Sequence, residues 1–299
     1  MTALRESYKW FIVGVVFAIL WASASTATKF GLSVSQPLVI AQARFAVAGI
    51  IMIIVSHLLQ KNQLPSGKQW KYIMIYALLN ITIYLGCYVV AMQNVTAGVG
   101  ALAVGTSPIF ISFLSLFILK HKLKPEVLMA LLLGIIGVLL ASWPLLKEAS
   151  VSYGGLALLL FSMLSYSAGA IYFSSKNWGD LSNLTINGWQ TFLGGIFLLP
   201  FTLIFYHGAD NNYNEVYWIS VLWLAIPVSI FAVQAWLWLL KINTVRAGLW
   251  LFLCPVFGFV IAAIFLGDQI TWHTVVGLIF VTTGLGIARR KKLKSDGSI

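Results

Sequence analysis

The chain has 299 residues, of which 60% are hydrophobic and only 9% charged, with a mean hydropathy of +0.92. A soluble domain carries roughly a quarter charged residues, so the composition excludes a soluble enzyme or binding module and describes one integral membrane unit. The net charge of +11 does not mark a nucleic-acid binder, because the basic residues sit in short clusters between apolar runs, where they orient a membrane protein.

In chain order, ten apolar runs are long enough to span a hydrocarbon core about 30 Å thick, which takes roughly 20 residues of helix. They cover residues 10–30, 37–59, 70–92, 97–119, 125–143, 153–175, 182–206, 216–240, 247–266 and 272–288. The first run lacks a small-residue cleavage pattern and reads as a retained helix rather than a signal peptide. An unpaired backbone group in hydrocarbon is too costly, and the runs are too long and too evenly apolar for barrel strands. The expected fold class is therefore all-α, with ten transmembrane helices joined by short connections. Trp10, Trp70, Trp143, Trp218 and Trp272 mark span ends and read as interfacial residues. Cys87 and Cys254 fall inside apolar runs and read as core thiols rather than a disulfide. His57, His121, His207 and His273 lie at or near span ends without ligand-like spacing, so neither a metal site nor a cofactor is expected.

Charge sets the orientation. With the N-terminus in the cytoplasm, the clusters Lys61, Lys68 and Lys71, then Lys120, Lys122 and Lys124, and finally Arg289, Arg290, Lys291, Lys292 and Lys294 all fall on the cytoplasmic side. Lys147, and Lys29 at the outer end of the first span, are the basic residues left outside. This is the positive-inside bias, and it predicts that both termini are cytoplasmic.

Residues 98–140 match residues 245–287 at one constant offset without gaps. Ala101 falls on Gly248, Pro108 on Pro255, Phe110 on Phe257 and Gly137 on Gly284. The chain divides into a first five-helix repeat, 1–144, and a second, 145–299, with a basic cytoplasmic tail. An odd number of spans in each half inverts the second half relative to the first. That design recurs in secondary transporters, whose substrate site lies near the midplane between halves. Pro108 and Pro255, near the middle of spans four and nine, free the carbonyls of Val104 and Leu251 and are expected to bend those helices along a transport pathway.

Trp21, Ser23, Lys29, Pro37 and Arg44 in the first half form a recognisable series. So do Arg246-Ala247-Gly248, Pro255-Val256-Phe257, Leu266-Gly267-Asp268, Gly277 and Gly284 in the second. Over roughly residues 10–290 these motifs resemble the EamA-type ten-helix exporters of the drug/metabolite transporter superfamily, and the chain is similar to the aromatic amino acid exporters among them. Asp268 stands where that family usually has Glu, and its first-half equivalent is His121, which argues against a shared chemical role there. The resemblance implies a basket of helices around a central cavity lined mainly by spans one, three, four, six, eight and nine. It also implies outward movement of small organic metabolites, often amino acids, across a bacterial inner membrane.

Asn80, Tyr84 and Tyr88 recur every four residues and share one helix face. Asn80 and Tyr84 of that face, with Trp21, Tyr166, Gln234, Trp238 and Trp250, are the expected substrate contacts, the amides bonding polar groups and the aromatics forming walls. No span carries Asp or Glu near its middle. The usual proton relay is therefore missing, which favours a facilitator or exchanger. Arg44 is the charge well inside a span. It either neutralises an anionic substrate or is structural, snorkelling or bonding backbone carbonyls; the structural role is favoured because span two is outside the lining set. With Lys29 it supports an alternative, a carrier of anionic or phosphorylated metabolites. A lipid-acting membrane enzyme would need a convergent catalytic set that the spans lack, and a scramblase is a further class. The expected partners are a small-molecule solute and the bilayer, with the chain acting as a monomer.

Overall fold

The computed structural model describes residues 2–118, 125–147, 151–236, 238–239, 250 and 253–296, and every regular element among them is helical. The first half supplies α1 (Thr2–Leu32), α2 (Pro37–Ile54), α3 (Lys68–Ala77), α4 (Tyr84–Ala91), α5 (Ala97–Gly105), α6 (Ser107–Ile118) and α7 (Pro125–Lys147). The second supplies α8 (Tyr153–Ser174), α9 (Asn183–Ile204), α10 (Glu215–Trp223), α11 (Leu253–Leu266) and α12 (Trp272–Asp296). Three π-helical turns extend these: Val55–Leu59 prolongs α2, Leu78–Ile83 joins α3 to α4, and Leu224–Ala232 continues α10.

Joined in this way, Lys9–Leu32, Pro37–Leu59, Lys68–Asn94, Tyr153–Ser174 and Glu215–Trp236 are each long and apolar enough to cross a membrane. Ala97–Ile111, Leu132–Pro144, Leu253–Leu266 and Trp272–Gly284 are shorter apolar helices. The start of the span expected at 247–266 lies outside the described residues, except for Trp250. The helices begin where the chain offers caps. Pro37 opens α2, and Ser152, Ser182 and Asn214 accept from the amides of Gly155, Thr185 and Tyr217 at 2.9, 3.0 and 3.1 Å.

Large apolar side chains point outward. Ile204 and Ile264 are each 72% exposed and Phe265 is 63% exposed, an arrangement suited to lipid rather than water. The interior pairs elements from the two halves: α2 packs on α9, α5 on α11, and α7 on α12. α1 packs on α11 and on the π turn after α10, while α8 packs on α4 and α6. Small residues permit the closest of these approaches. A Cβ on Gly137 would lie 2.7 Å from the Gly277 carbonyl oxygen, and one on Gly277 would collide with the Gly137 carbonyl.

The bend expected at Pro108 falls slightly before it. α5 ends at Gly105 and α6 begins at Ser107, so Pro108 sits in the first turn of a new helix, where its missing N–H costs nothing. Thr106 bridges the break, its amide donating to Ala103 O at 2.9 Å. The Pro108 side chain is outside the described residues, as is Leu251. Pro255 is buried in α11, near the beginning of its described residues, with its ring against Gly105, where a Cβ would come within 2.6 Å of Cγ. The Pro255 ring thus packs beside the break between α5 and α6.

Candidate functional site

A cavity of about 470 Å³ lies at the centre of the helices, within the usual range for small-molecule sites. Its deep end is set by Ser25 of α1, Arg44 of α2 and Tyr88 of α4, and its other end reaches Ser174 and Asn183, the last residue of α8 and the first of α9. Beyond the deep end, side-chain bonds tie α1 and α5 to their neighbours. Lys29 Nζ donates to Met92 O at 3.0 Å, with Asp268 as its electrostatic neighbour. Asp268 Oδ2 in turn accepts from the Gly98 amide at 3.2 Å, at the start of α5.

Two aromatic walls face the cavity. On one side Phe17 stacks on Trp236 with centroids 5.1 Å apart and leans on Trp21 at 5.7 Å, so that α1 and α10 present both indoles. On the other, Tyr84 of α4 meets Tyr166 of α8 at 4.9 Å and Tyr88 at 6.2 Å. Near the Ser174 end, Tyr76 and Phe173 pack at 5.1 Å with Trp178 behind them.

A chain of polar side chains crosses between these walls. Asn80 Nδ2 donates to Gln190 Oε1 at 3.1 Å, Gln190 Nε2 to Asn187 Oδ1 at 2.9 Å, and Asn187 Nδ2 to the Ser229 carbonyl at 3.2 Å. Arg44 Nε donates to Ser229 Oγ at 3.0 Å. Asn80 Oδ1 is buried without a hydrogen-bond partner, an unmet acceptor at one end of the chain. The π turns aim both ends of this network, since a π turn re-phases the side chains that follow it and loosens backbone bonds. Asn80 lies in Leu78–Ile83, whose Leu79 carbonyl accepts from Ser165 Oγ at 2.8 Å. Ser229 lies in Leu224–Ala232, two residues beyond Pro227, which withholds a backbone donor.

Four expected contacts come together here: Trp21, Asn80, Tyr84 and Tyr166 all line the cavity. Gln234, Trp238 and Trp250 are not among the residues that line it. Through the re-phased turn, α10 presents Val228, Ser229, Val233 and Trp236 to the cavity instead of Gln234. Trp238 takes the Lys9 ammonium 5.4 Å over its ring, and Trp250 is buried against Gly14 and 5.2 Å from Trp10. The expected lining set was also too narrow. α2 contributes Arg44 and Phe45, and α9 contributes Asn183, Asn187 and Gln190. Polar residues recurring at 183, 187 and 190 in the first half of an otherwise apolar helix were the signal for α9.

Membrane-spanning helices around an aromatic cavity bridged by amides define a helical membrane transporter. The EamA-like transporter family model matches this sequence twice, over residues 8–143 and 154–290, and the chain belongs to that family, within the drug/metabolite transporter superfamily. It is 30% identical to Protein PecM of Dickeya dadantii (strain 3937) over 92% of this chain and 93% of the relative. It is 25% identical to the uncharacterized transporter YoaV of Bacillus subtilis (strain 168), over 92% and 94% of the two chains. A solved crystal structure superposes with a TM-score of 0.64 at 14% identity, covering 97% of this chain and 99% of the other, a likeness of fold.

Proposed function

We propose that the chain exports small organic metabolites, above all amino acids with apolar or aromatic side chains. It does so by alternating access, as a facilitator or exchanger without a buried carboxylate and without covalent chemistry. The carrying observation is the cavity itself: aromatic walls at Trp21, Trp236, Tyr84 and Tyr166 enclose an amide chain, and no Asp or Glu stands among the described residues that line it. Aromatic walls recognise flat apolar groups by area and quadrupole, while amides and hydroxyls hydrogen-bond a polar head.

The architecture proposed with this function is ten helices in two inverted repeats, 1–144 and 145–299. The two separate matches to the family model support it, as does the pairing of elements, which exchanges one half for the other: α1 lies on the π turn after α10 as α8 lies on the one before α4. The offset that carries Pro108 onto Pro255 also carries Leu78–Ile83 into Leu224–Ala232. The bias of Lys and Arg supports a bacterial inner-membrane location with both termini cytoplasmic. In that orientation the Ser174–Asn183 end of the cavity faces the cytoplasm, the loading side for an exporter. The proposed working unit is the monomer, since both halves wall one cavity.

Arg44 in the cavity wall favours a second reading, transport of an anion. Lys29, expected to act with it, instead donates to Met92 O and does not line the cavity, which weighs against the paired cation cluster suited to a phosphorylated solute. Counterflow in proteoliposomes tests the main reading. Aromatic and apolar amino acids are expected to exchange, at rates unaffected by an imposed proton gradient. Vesicles that bind these solutes and never move them, or exchange that collapses with a protonophore, would overturn it.

A further inference from the structure

We propose that Arg44 is the carboxylate-recognition residue of this transporter, restricting its solutes to those carrying one carboxylate. The inference rests on the central cavity being the solute site. Among the described residues that line the cavity, Arg44 is the one charged group, and it is 9% exposed.

A guanidinium has five N–H donors in a planar fork. Here Nε is used on Ser229 Oγ. The Ser229 hydroxyl is itself committed, donating to Leu224 O at 2.9 Å, so its lone pair is turned to Nε. Both Nη groups make no hydrogen bond among the described residues. The Phe45 ring, on the adjacent residue, lies 5.8 Å from Cζ, while the phenols of Tyr84 and Tyr88 are electrostatic neighbours of the guanidinium and bring no formal charge. A structural arginine in hydrocarbon would be paired with an acid or wrapped in carbonyls, because an uncompensated buried charge is costly. This one is clamped by a single bond through Nε, with its fork left open. That geometry matches the bidentate bond of guanidinium to carboxylate.

The charge count narrows the class further. Lys29, the other cation expected in a first-half cluster, is bonded to Met92 O and does not line the cavity. One cation neutralises a monoanion and leaves a phosphate dianion with excess charge in a low-dielectric site. The aromatic walls beside Arg44 then favour a monocarboxylate with an apolar or aromatic body. Asn80 Oδ1, an unmet acceptor at the far end of the amide chain, suits a second, neutral or cationic donor on the same solute.

The test is exchange in proteoliposomes with matched pairs: L-phenylalanine against L-phenylalaninamide, and 3-phenylpropionate against 3-phenylpropionamide. The acids are expected to exchange about 10- to 100-fold better than the amides, the fold-change of one charge-assisted pair. Arg44→Gln should erase that ratio, and Arg44→Lys should lower it. Phenyl phosphate should exchange more poorly than either acid. Equal exchange of acid and amide by the unmodified protein, a ratio unchanged in Arg44→Lys, or phenyl phosphate moving faster than 3-phenylpropionate would each overturn the assignment. The first and third of these need no variant, so they decide the matter even where Arg44→Gln fails to fold. If 3-phenylpropionate exchanges and phenylalanine does not, the amino-acid reading fails and the carboxylate assignment stands.

Discussion

Thr82 and Ser229 occupy matching positions in two π turns, each with its hydroxyl beside the carbonyl five residues behind it. Ser229 donates to Leu224 O at 2.9 Å, whereas Thr82 Oγ1 lies 3.5 Å from Ala77 O. The offset that aligns Pro108 with Pro255 places these two residues on one another. A π turn strands carbonyls that an α-helix would satisfy, and in hydrocarbon those groups need a donor. The Ser229 hydroxyl supplies one to Leu224 O. Thr82 gives its single proton to Gly194 O at 2.9 Å on the neighbouring helix, and Ser229 also accepts from Arg44.

Replacing Ser229 with Ala should therefore cost about 1–3 kcal/mol, as it strands the Leu224 carbonyl and the Arg44 Nε together. Ser229→Thr keeps both bonds and should recover most of the loss. Thermal unfolding in detergent reads the difference, and an unchanged melting temperature for Ser229→Ala would show that the hydroxyl does not hold the turn.

The α7–α12 contact depends on the absence of side chains. Gly137→Val or Gly277→Val forces the backbones apart, with an expected loss of more than about 2 kcal/mol from overpacking. Gly154→Ala is the control, because nothing lies within 4 Å of a Cβ there. Monodisperse yield on size exclusion should fall for the first two variants and hold for the third. Equal behaviour of all three would mean that the helices have room to shift.

Within the amide chain, position decides severity. Gln190 bonds Asn80 on one side and Asn187 on the other. Gln190→Leu strands both and should lower stability by roughly 1–3 kcal/mol along with transport. Asn80→Ala removes a terminal member and should weaken solute affinity with a smaller loss of stability. Comparing melting temperature with half-saturation in counterflow separates the two effects, and a larger stability loss for Asn80→Ala than for Gln190→Leu would contradict this order.

Tyr166 meets Tyr84 at 4.9 Å as part of an aromatic wall. Tyr166→Leu should reduce exchange of phenylalanine relative to leucine by about three- to tenfold, from the 0.5–1.5 kcal/mol of an aromatic pair. Tyr166→Phe should change the ratio little. A leucine-substituted wall that discriminates like the original would remove Tyr166 from recognition.

Orientation is testable with cysteines in a Cys87→Ser, Cys254→Ser background. Gln63 and Asn212 are both solvent-exposed, in connections at opposite ends of α2 and α9. An impermeant maleimide should label Asn212→Cys in intact cells and Gln63→Cys only after permeabilisation. The reverse pattern would invert the cavity and make the Ser174–Asn183 end external.

The sequence by itself determined the class. Composition and run length require membrane helices because hydrocarbon satisfies no backbone group, and Trp21, Asn80, Tyr84 and Tyr166 were legible as residues turned from lipid into the cavity because polar groups at mid-span are expensive against lipid. Only the tertiary structure decided the rest of the wall. Periodicity extrapolates a uniform 3.6-residue helix, and the π turns at Leu78–Ile83 and Leu224–Ala232 break that phase, which turns Ser229 rather than Gln234 into the cavity. Arg44 reads as structural from a list of lining helices. The packing of α2 on α9 brings the guanidinium, clamped by Ser229 from 185 residues away, into the cavity wall, and this supports the role proposed for it.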